Sequence, residues 1–196
     1  MPVGILNEGI MNNDRNRVCP VELANSLDSK IRRWVQDPQK ILSPYIREGM
    51  KVLDVGCGPG FFSIELAKMV GRNGKVYSVD LQEGMLQKVR NKITGTTLEG
   101  IIKLIKCEED EIVVQDKVDF ILAFYMVHEV PNKDKLFKTL KNILNEKGEF
   151  LIVEPKLFHV SKKEFDLTIG KAESVGFKAT KGPKIRFSFS SILINA

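Results

Sequence analysis

The sequence predicts an α/β fold: a seven-stranded sheet, mostly parallel, with one antiparallel strand near the C-terminus and helices on both faces. Three observations predict it. Short apolar, β-prone runs alternate with longer segments of helical period between residues 51 and 175. Strands separated by helices pair in parallel and carry those helices on their faces. The first run ends in a turn with glycine at every second position, Gly56, Gly58 and Gly60. The last two runs are joined only through Gly182-Pro183. That connection is too short for a crossover, so the pair forms a hairpin and one member opposes the rest.

Taken in order, residues 1–20 are polar and rich in Asn and Arg, and read as an arm or a lid. Glu22 to Val35 places Leu23, Leu27, Ile31 and Trp34 on one helical stripe. Asp37-Pro38 interrupts it, and a short helix carries Ile41, Leu42, Tyr45 and Ile46 to the turn at Gly49. Residues 1–48 thus form an N-terminal arm with helices, lying across the mouth of a site or covering a sheet edge. Residues 49–196 form one globular unit. Lys51 to Val55 is the first strand, and a helix with Phe62, Leu66, Met69 and Val70 inward stops at Gly71 and Gly74. Lys75 to Val79 is the second strand, ending at Asp80. The next helix turns Met85, Leu86, Val89 and Ile93 inward. Ile101 to Lys106 and Val118 to Ala123 are the third and fourth strands. A helix lined by Leu136, Leu140, Ile143 and Leu144 leads to a fifth, Glu149 to Val153. Ser161-Lys-Lys-Glu164 is a capping box opening a helix with Phe165, Ile169 and Ala172 inward. Gly176-Phe177 starts the sixth strand, and Lys184 to Ile194 is the seventh.

This order is Rossmann-like, and in such sheets a ligand sits at the carboxyl ends of the strands, at the switch point. Four strand ends converge there: Gly56 to Gly60, Asp80, Glu108 with Glu109, and Phe124 with its followers. Glycine lets a ligand approach the main chain, and the following helix N-terminus favours an anionic group. Asp80 can accept hydrogen bonds from a ribose diol or cap the following helix. Glu108 and Glu109 can accept from an adenine amino group or stand as part of a solvated acidic run.

Composition narrows the class. The chain has 196 residues, 43% of them hydrophobic, which favours one domain with a real core. Its net charge of +5 comes from scattered lysines rather than a basic block, which reads as a solvated surface. Cys19, Cys57 and Cys107 form neither a disulfide framework nor a metal pair, an expectation of a cytoplasmic protein without a metal. No apolar run approaches the ~18 residues of a membrane span.

The stretch Val52-Leu-Asp-Val-Gly-Cys-Gly-Pro-Gly60 resembles the first motif of class I S-adenosylmethionine (SAM) methyltransferases. Ser78-Val-Asp80 with Met85-Leu86 resembles the second. Phe124-Tyr-Met-Val-His-Glu-Val-Pro131 resembles the segment after the fourth strand, and Gly148 to Pro155 the fifth-strand segment. The resemblance covers residues 40 to 194 and is closest to the quinone and sterol methyltransferases. It implies SAM as cofactor, with Gly56, Cys57 and Gly58 at its methionine end and Asp54 ordering the turn. It implies Asp80 on the ribose, Leu81 on the adenine, Glu108 near the adenine amino group with Glu109 as substitute, and Ala123 and Phe124 beside the methionine moiety. Glu108 is one methylene longer than the family's usual Asp. Glu129 stands where a second His is common.

Transfer of a methyl from a sulfonium is an in-line displacement, and a base is needed when the acceptor keeps its proton. Tyr125, His128 and Glu129 are the candidate catalytic residues, with Glu154 and His159 nearby in the pattern. His128 is either a base or acceptor-positioning group, or a structural wall residue. The expected acceptor is a small molecule, and the expected state a monomer or homodimer. An RNA or protein acceptor is a second reading, disfavoured because Ala123-Phe-Tyr-Met126 replaces the Asn/Asp-Pro-Pro-Tyr element of exocyclic-nitrogen methylation. A metalloid or thiol reaction through Cys19 and Cys107 is a third. A SAM-binding protein without turnover is a fourth.

Overall fold

A computed structural model describes residues 36–108, 111–156 and 160–196. The expected arm at 1–20 and helix at 22–35 lie outside the described residues. Asp37 caps the first described helix, α1 (Pro38–Leu42), its Oδ1 accepting from the Gln39 amide at 3.0 Å.

The sheet is centred on β1 (Lys51–Val55), which is buried from Val52 onward on both faces. That burial explains its unbroken apolar run, because a central parallel strand meets helices above and below. β1 pairs in parallel with β2 (Lys75–Asp80) on one side and β4 (Val118–Phe124) on the other, Val55 lying beside both Val79 and Ala123. β3 (Ile102–Lys106) flanks β2, and β5 (Leu144–Pro155) flanks β4. β7 (Ser188–Asn195) runs antiparallel between β5 and β6 (Phe177–Lys181). The order is therefore β3-β2-β1-β4-β5-β7-β6, with the switch point between β1 and β4.

Alternation along the strands divides the core into two faces. Val52, Val76, Phe120, Leu122, Leu151 and Val153 point to one face, under α2 (Ser63–Val70) and α3 (Glu83–Ile93). Leu53, Val79, Ile121, Ala123, Phe150 and Ile152 point to the other, under α4 (Lys133–Ile143) and α5 (Lys162–Ser174). Phe120, Phe137 and Phe150 are fully buried, each stabilising the core by about 1.5–3 kcal/mol. The capping box of α5 forms as expected: the Glu164 amide donates to Ser161 Oγ at 3.2 Å, and the Ser161 amide to Glu164 Oε2 at 2.7 Å.

Three boundaries differ most from the sequence expectation. Helix α1 stops at Leu42, short of Tyr45 and Ile46. α4 ends at Ile143, and β5 begins at Leu144 rather than Glu149. Val118 pairs with Leu144, yet Phe120 already pairs with Glu149, so residues 145–148 bulge out of the ladder. Gly148 permits this bend, since a Cβ there would stand 2.5 Å from Leu144 Cδ1. β7 begins at Ser188 rather than Lys184, because Ser190 Oγ bonds the Pro183 carbonyl at 2.5 Å and holds residues 182–187 as a loop.

Candidate functional site

The turn from β1 into α2 is built around two anchors. The Cys57 amide donates to the Val79 carbonyl at 3.0 Å, and the Gly60 amide to the Cys57 carbonyl at 3.1 Å. Gly56 has φ +66°, and a Cβ on it would meet Met126 Cβ at 2.8 Å. Gly58 has φ +53°, and the space where its Cβ would project is open. The chain thus presents bare backbone to a cleft at the carboxyl ends of β1, β2 and β4. Asp54, 2% exposed, accepts from Ser63 Oγ at 2.6 Å, which ties the strand end to the start of α2.

Asp80 closes the other side. Its Oδ2 accepts from the Gly58 amide at 2.8 Å and its Oδ1 from the Gln82 amide at 2.9 Å. It therefore clamps the glycine turn and the entry to α3 together. Burial pushes its carboxyl above the usual range, and the amides of Gln82, Gly58 and Leu81 oppose that shift. Each carboxylate oxygen carries two lone pairs, so both keep acceptor capacity toward the cleft.

The third wall follows β4. Phe124 packs at a tilt against Phe62, with ring centroids 4.3 Å apart, and against Tyr125 at 4.6 Å. Tyr125 sits at φ +61°, in the left-handed region that bulky residues rarely occupy. Its hydroxyl accepts from Gln36 Nε2 at 2.5 Å and lies 2.6 Å from Ser188 Oγ. A 3₁₀ turn follows, Val127–Glu129. Buried Glu154 holds it: Oε1 accepts from the Val127 amide at 2.8 Å, and Oε2 hydrogen-bonds His128 Nδ1. His128 Nε2 faces Glu129 Oε1 at 4.0 Å. Burial lowers the His128 pKa, but the hydrogen bond and charge of Glu154, with the charge of Glu129, outweigh it and raise the value overall.

The cleft wall contains Asp54, Gly56, Cys57, Gly58, Asp80, Phe124, Tyr125 and Glu129 from the sequence candidates. It also contains Pro59, Phe61, Phe62, Gln82, Met85 and Met126. Leu81 is half-buried beside Asp80, and Ala123 packs into the opposite face of the sheet. Glu108 is exposed, with Lys106 Nζ 4.0 Å away. His128 stands behind Glu129. Glu109, His159 and Cys19 lie outside the described residues. Cys57 and Cys107 are free thiols, both pushed up in pKa by burial, Cys107 to about 11. Sequence reasoning did not find Gln36 or Ser188, since nothing local marks either as a partner of Tyr125. Glu154 carried a signal, an acid at a strand end before Pro155, but its partners come from another loop.

These residues fit an adenosyl donor. Open space over Gly58 admits a ligand against the backbone, Asp80 offers a carboxylate to a diol, and the Phe62–Phe124 pair gives an apolar wall.

Comparison with known proteins agrees. Residues 46–181 match the family model described as a methyltransferase domain. The ubiquinone/menaquinone biosynthesis C-methyltransferase UbiE of Idiomarina loihiensis is 29% identical over 110 residues, 56% of this chain and 44% of that protein. The demethylmenaquinone methyltransferase of Bacillus mycoides is 27% identical over 124 residues, 63% of this chain and 51% of that protein. The chain thus spans about half the length of the curated relatives it matches. A SAM-dependent methyltransferase from Aquifex aeolicus has the same fold, with a TM-score of 0.81 and 28% identity over 91% of this chain and 100% of that one. No helix among the described residues is long and apolar enough to cross a membrane. The glycine turn clamped by Asp80, the mixed seven-stranded sheet and the domain match together place this chain in the class I SAM-dependent methyltransferase family.

Proposed function

We propose that the chain moves a methyl group from SAM to a small aromatic acceptor of the quinol or phenol type. The observation that carries this reading is one cleft lined by two chemically different groups of residues. Gly58 and Asp80 come from the ends of β1 and β2, and Phe124, Tyr125 and Glu129 come from the end of β4 and the turn after it. The names of the relatives from Idiomarina and Bacillus support a quinone-type acceptor. On this reading Asp80 holds the ribose and the turn from Gly56 to Gly58 holds the methionine end, with Asp54 ordering it. Leu81 and Glu108 or Glu109 flank the adenine, and Ala123 and Phe124 border the methionine moiety.

When bound, SAM supplies an electrophilic methyl on a good leaving group. The work left to the chain is alignment and exclusion of water, and alignment is worth about 7–11 kcal/mol. Phe62, Phe124 and Met126 give the cleft dry walls. Tyr125 and Glu129 line the cleft on the acceptor side of this reading, with His128 next to Glu129, where the proton of a phenol must be taken. We propose action as a monomer or simple homodimer, with the cytoplasm as the compartment. Incubation with methyl-labelled SAM and a reduced demethylated naphthoquinone tests the reading. The expected result is label on the quinone ring. Label on RNA or protein instead, from a cell extract supplied in parallel, would replace this acceptor class with a macromolecular one.

A further inference from the structure

We infer that Glu129, His128 and Glu154 form a proton path in which Glu129 meets the acceptor, His128 receives the proton at Nε2, and Glu154 is the positioning residue behind them. The inference deepens the proposed function and rests on the cleft being the site of methyl transfer. Three observations carry it. Glu129 belongs to the cleft wall, whereas His128 does not. His128 Nε2 faces the Glu129 carboxylate at 4.0 Å, within ion-pair distance. Glu154, with a side chain 2% exposed, bonds Nδ1 with one oxygen and accepts from the Val127 amide with the other, so it cannot turn away.

The geometry selects the tautomer. A carboxylate accepts, so Nδ1 carries the hydrogen and Nε2 carries the basic lone pair. A base oriented from behind by a buried carboxylate is a recurrent solution to proton abstraction. Methylation of a neutral acceptor releases one proton overall. The acceptor's electron pair forms the new bond to carbon, the S–CH₃ pair stays on sulfur, and the proton passes through Glu129 to Nε2. The resulting imidazolium lies between two carboxylates, Glu154 from β5 and Glu129 from its own turn, with Lys133 of α4 the opposing charge.

The chain has two histidines, so imidazole ¹⁵N NMR resolves His128 once His128→Gln identifies its signals. In the wild type, Nε2 is expected to show the shift of an unprotonated nitrogen at high pH, with a titration midpoint above 6.5. Glu154→Gln should mix the tautomers and bring the midpoint to 6.5 or below. If that variant folds poorly, Glu154→Asp gives a partial change in the same direction. Glu129→Gln should keep the tautomer, lower the midpoint, and reduce kcat on the naphthoquinol by about 10- to 100-fold at unchanged KM for SAM. An unchanged tautomer and midpoint in Glu154→Gln, or an unchanged kcat in Glu129→Gln, overturns the path. A wild-type protein inert toward the quinol overturns the acceptor assignment instead, and the NMR arms still decide the path.

Discussion

Replacing Asp80 with Ala separates its clamp on the glycine turn from the ribose contact proposed for the same side chain. In the proposed complex the carboxylate accepts two hydrogen bonds from the ribose diol. Hydrogen bonds to a charged group contribute about 1.5–3 kcal/mol each, so losing two weakens SAM by about 3–6 kcal/mol. At 1.4 kcal/mol per factor of ten, Kd rises by about 100- to 20,000-fold. The same substitution removes the acceptors of the Gly58 and Gln82 amides, at 2.8 and 2.9 Å. Both amides border a cleft that admits water, so the smaller end of the unpaired-group range applies, about 1 kcal/mol each. A domain of this size loses about 2–4 °C per kcal/mol, so Tm should fall by about 4–8 °C without ligand. Titration calorimetry with SAM and with its demethylated product measures the first effect, and scanning calorimetry the second. Wild-type Kd in a variant whose Tm has fallen would refute the ribose assignment while leaving the clamp intact.

Further outcomes follow from the same geometry. Gly58→Ala places a Cβ in open space at φ +53°, so stability should fall by only about 1 kcal/mol while SAM affinity falls by more than tenfold; equal losses in both would show that no ligand lies over that residue. Phe150→Ala empties the core face away from the cleft and should lower stability by about 3–5 kcal/mol with Kd for SAM unchanged, measured by urea unfolding and calorimetry. The raised pKa of His128 means that its pairing with Glu154 stabilises the fold fully below pH 6.5, and that this contribution disappears as pH rises through the raised folded value. Tm of the wild type relative to Glu154→Gln should therefore be greatest at low pH, and a difference growing with pH would contradict the pairing. Cys107→Ser should leave turnover unchanged, since a thiol held at about 11 is not a thiolate at neutral pH; lost activity on every acceptor would revive the thiol reaction.

Much of the fold was legible before any coordinates. Period, glycine placement and short connections are local properties, and they sufficed for the seven strands, the helices on both faces and the lone antiparallel strand. Boundaries were less legible where tertiary contact sets them. Leu144 reads as the last inward residue of a helix, yet pairing with Val118 makes it the first residue of β5. Ser188 rather than Lys184 opens β7 because a hydroxyl on Ser190 fastens the preceding loop.

The site divides in the same way. Motif residues contiguous with a strand end were found from sequence because strand, turn and helix are contiguous in the chain. This holds for Gly56 to Gly60 and for Asp80 on the neighbouring strand. The hydrogen-bond partners around the proposed acceptor site are separated by 26 residues for His128 and Glu154 and by 89 for Gln36 and Tyr125. No periodicity links such distant positions. By itself the sequence determined that backbone would be bared at the carboxyl edge of a parallel sheet, because glycine adopts those dihedrals without strain and carries no side chain to cover the main chain. Only the tertiary structure decided which carboxylate stands behind His128 and which faces the cleft, because that depends on how β4 and β5 align side by side.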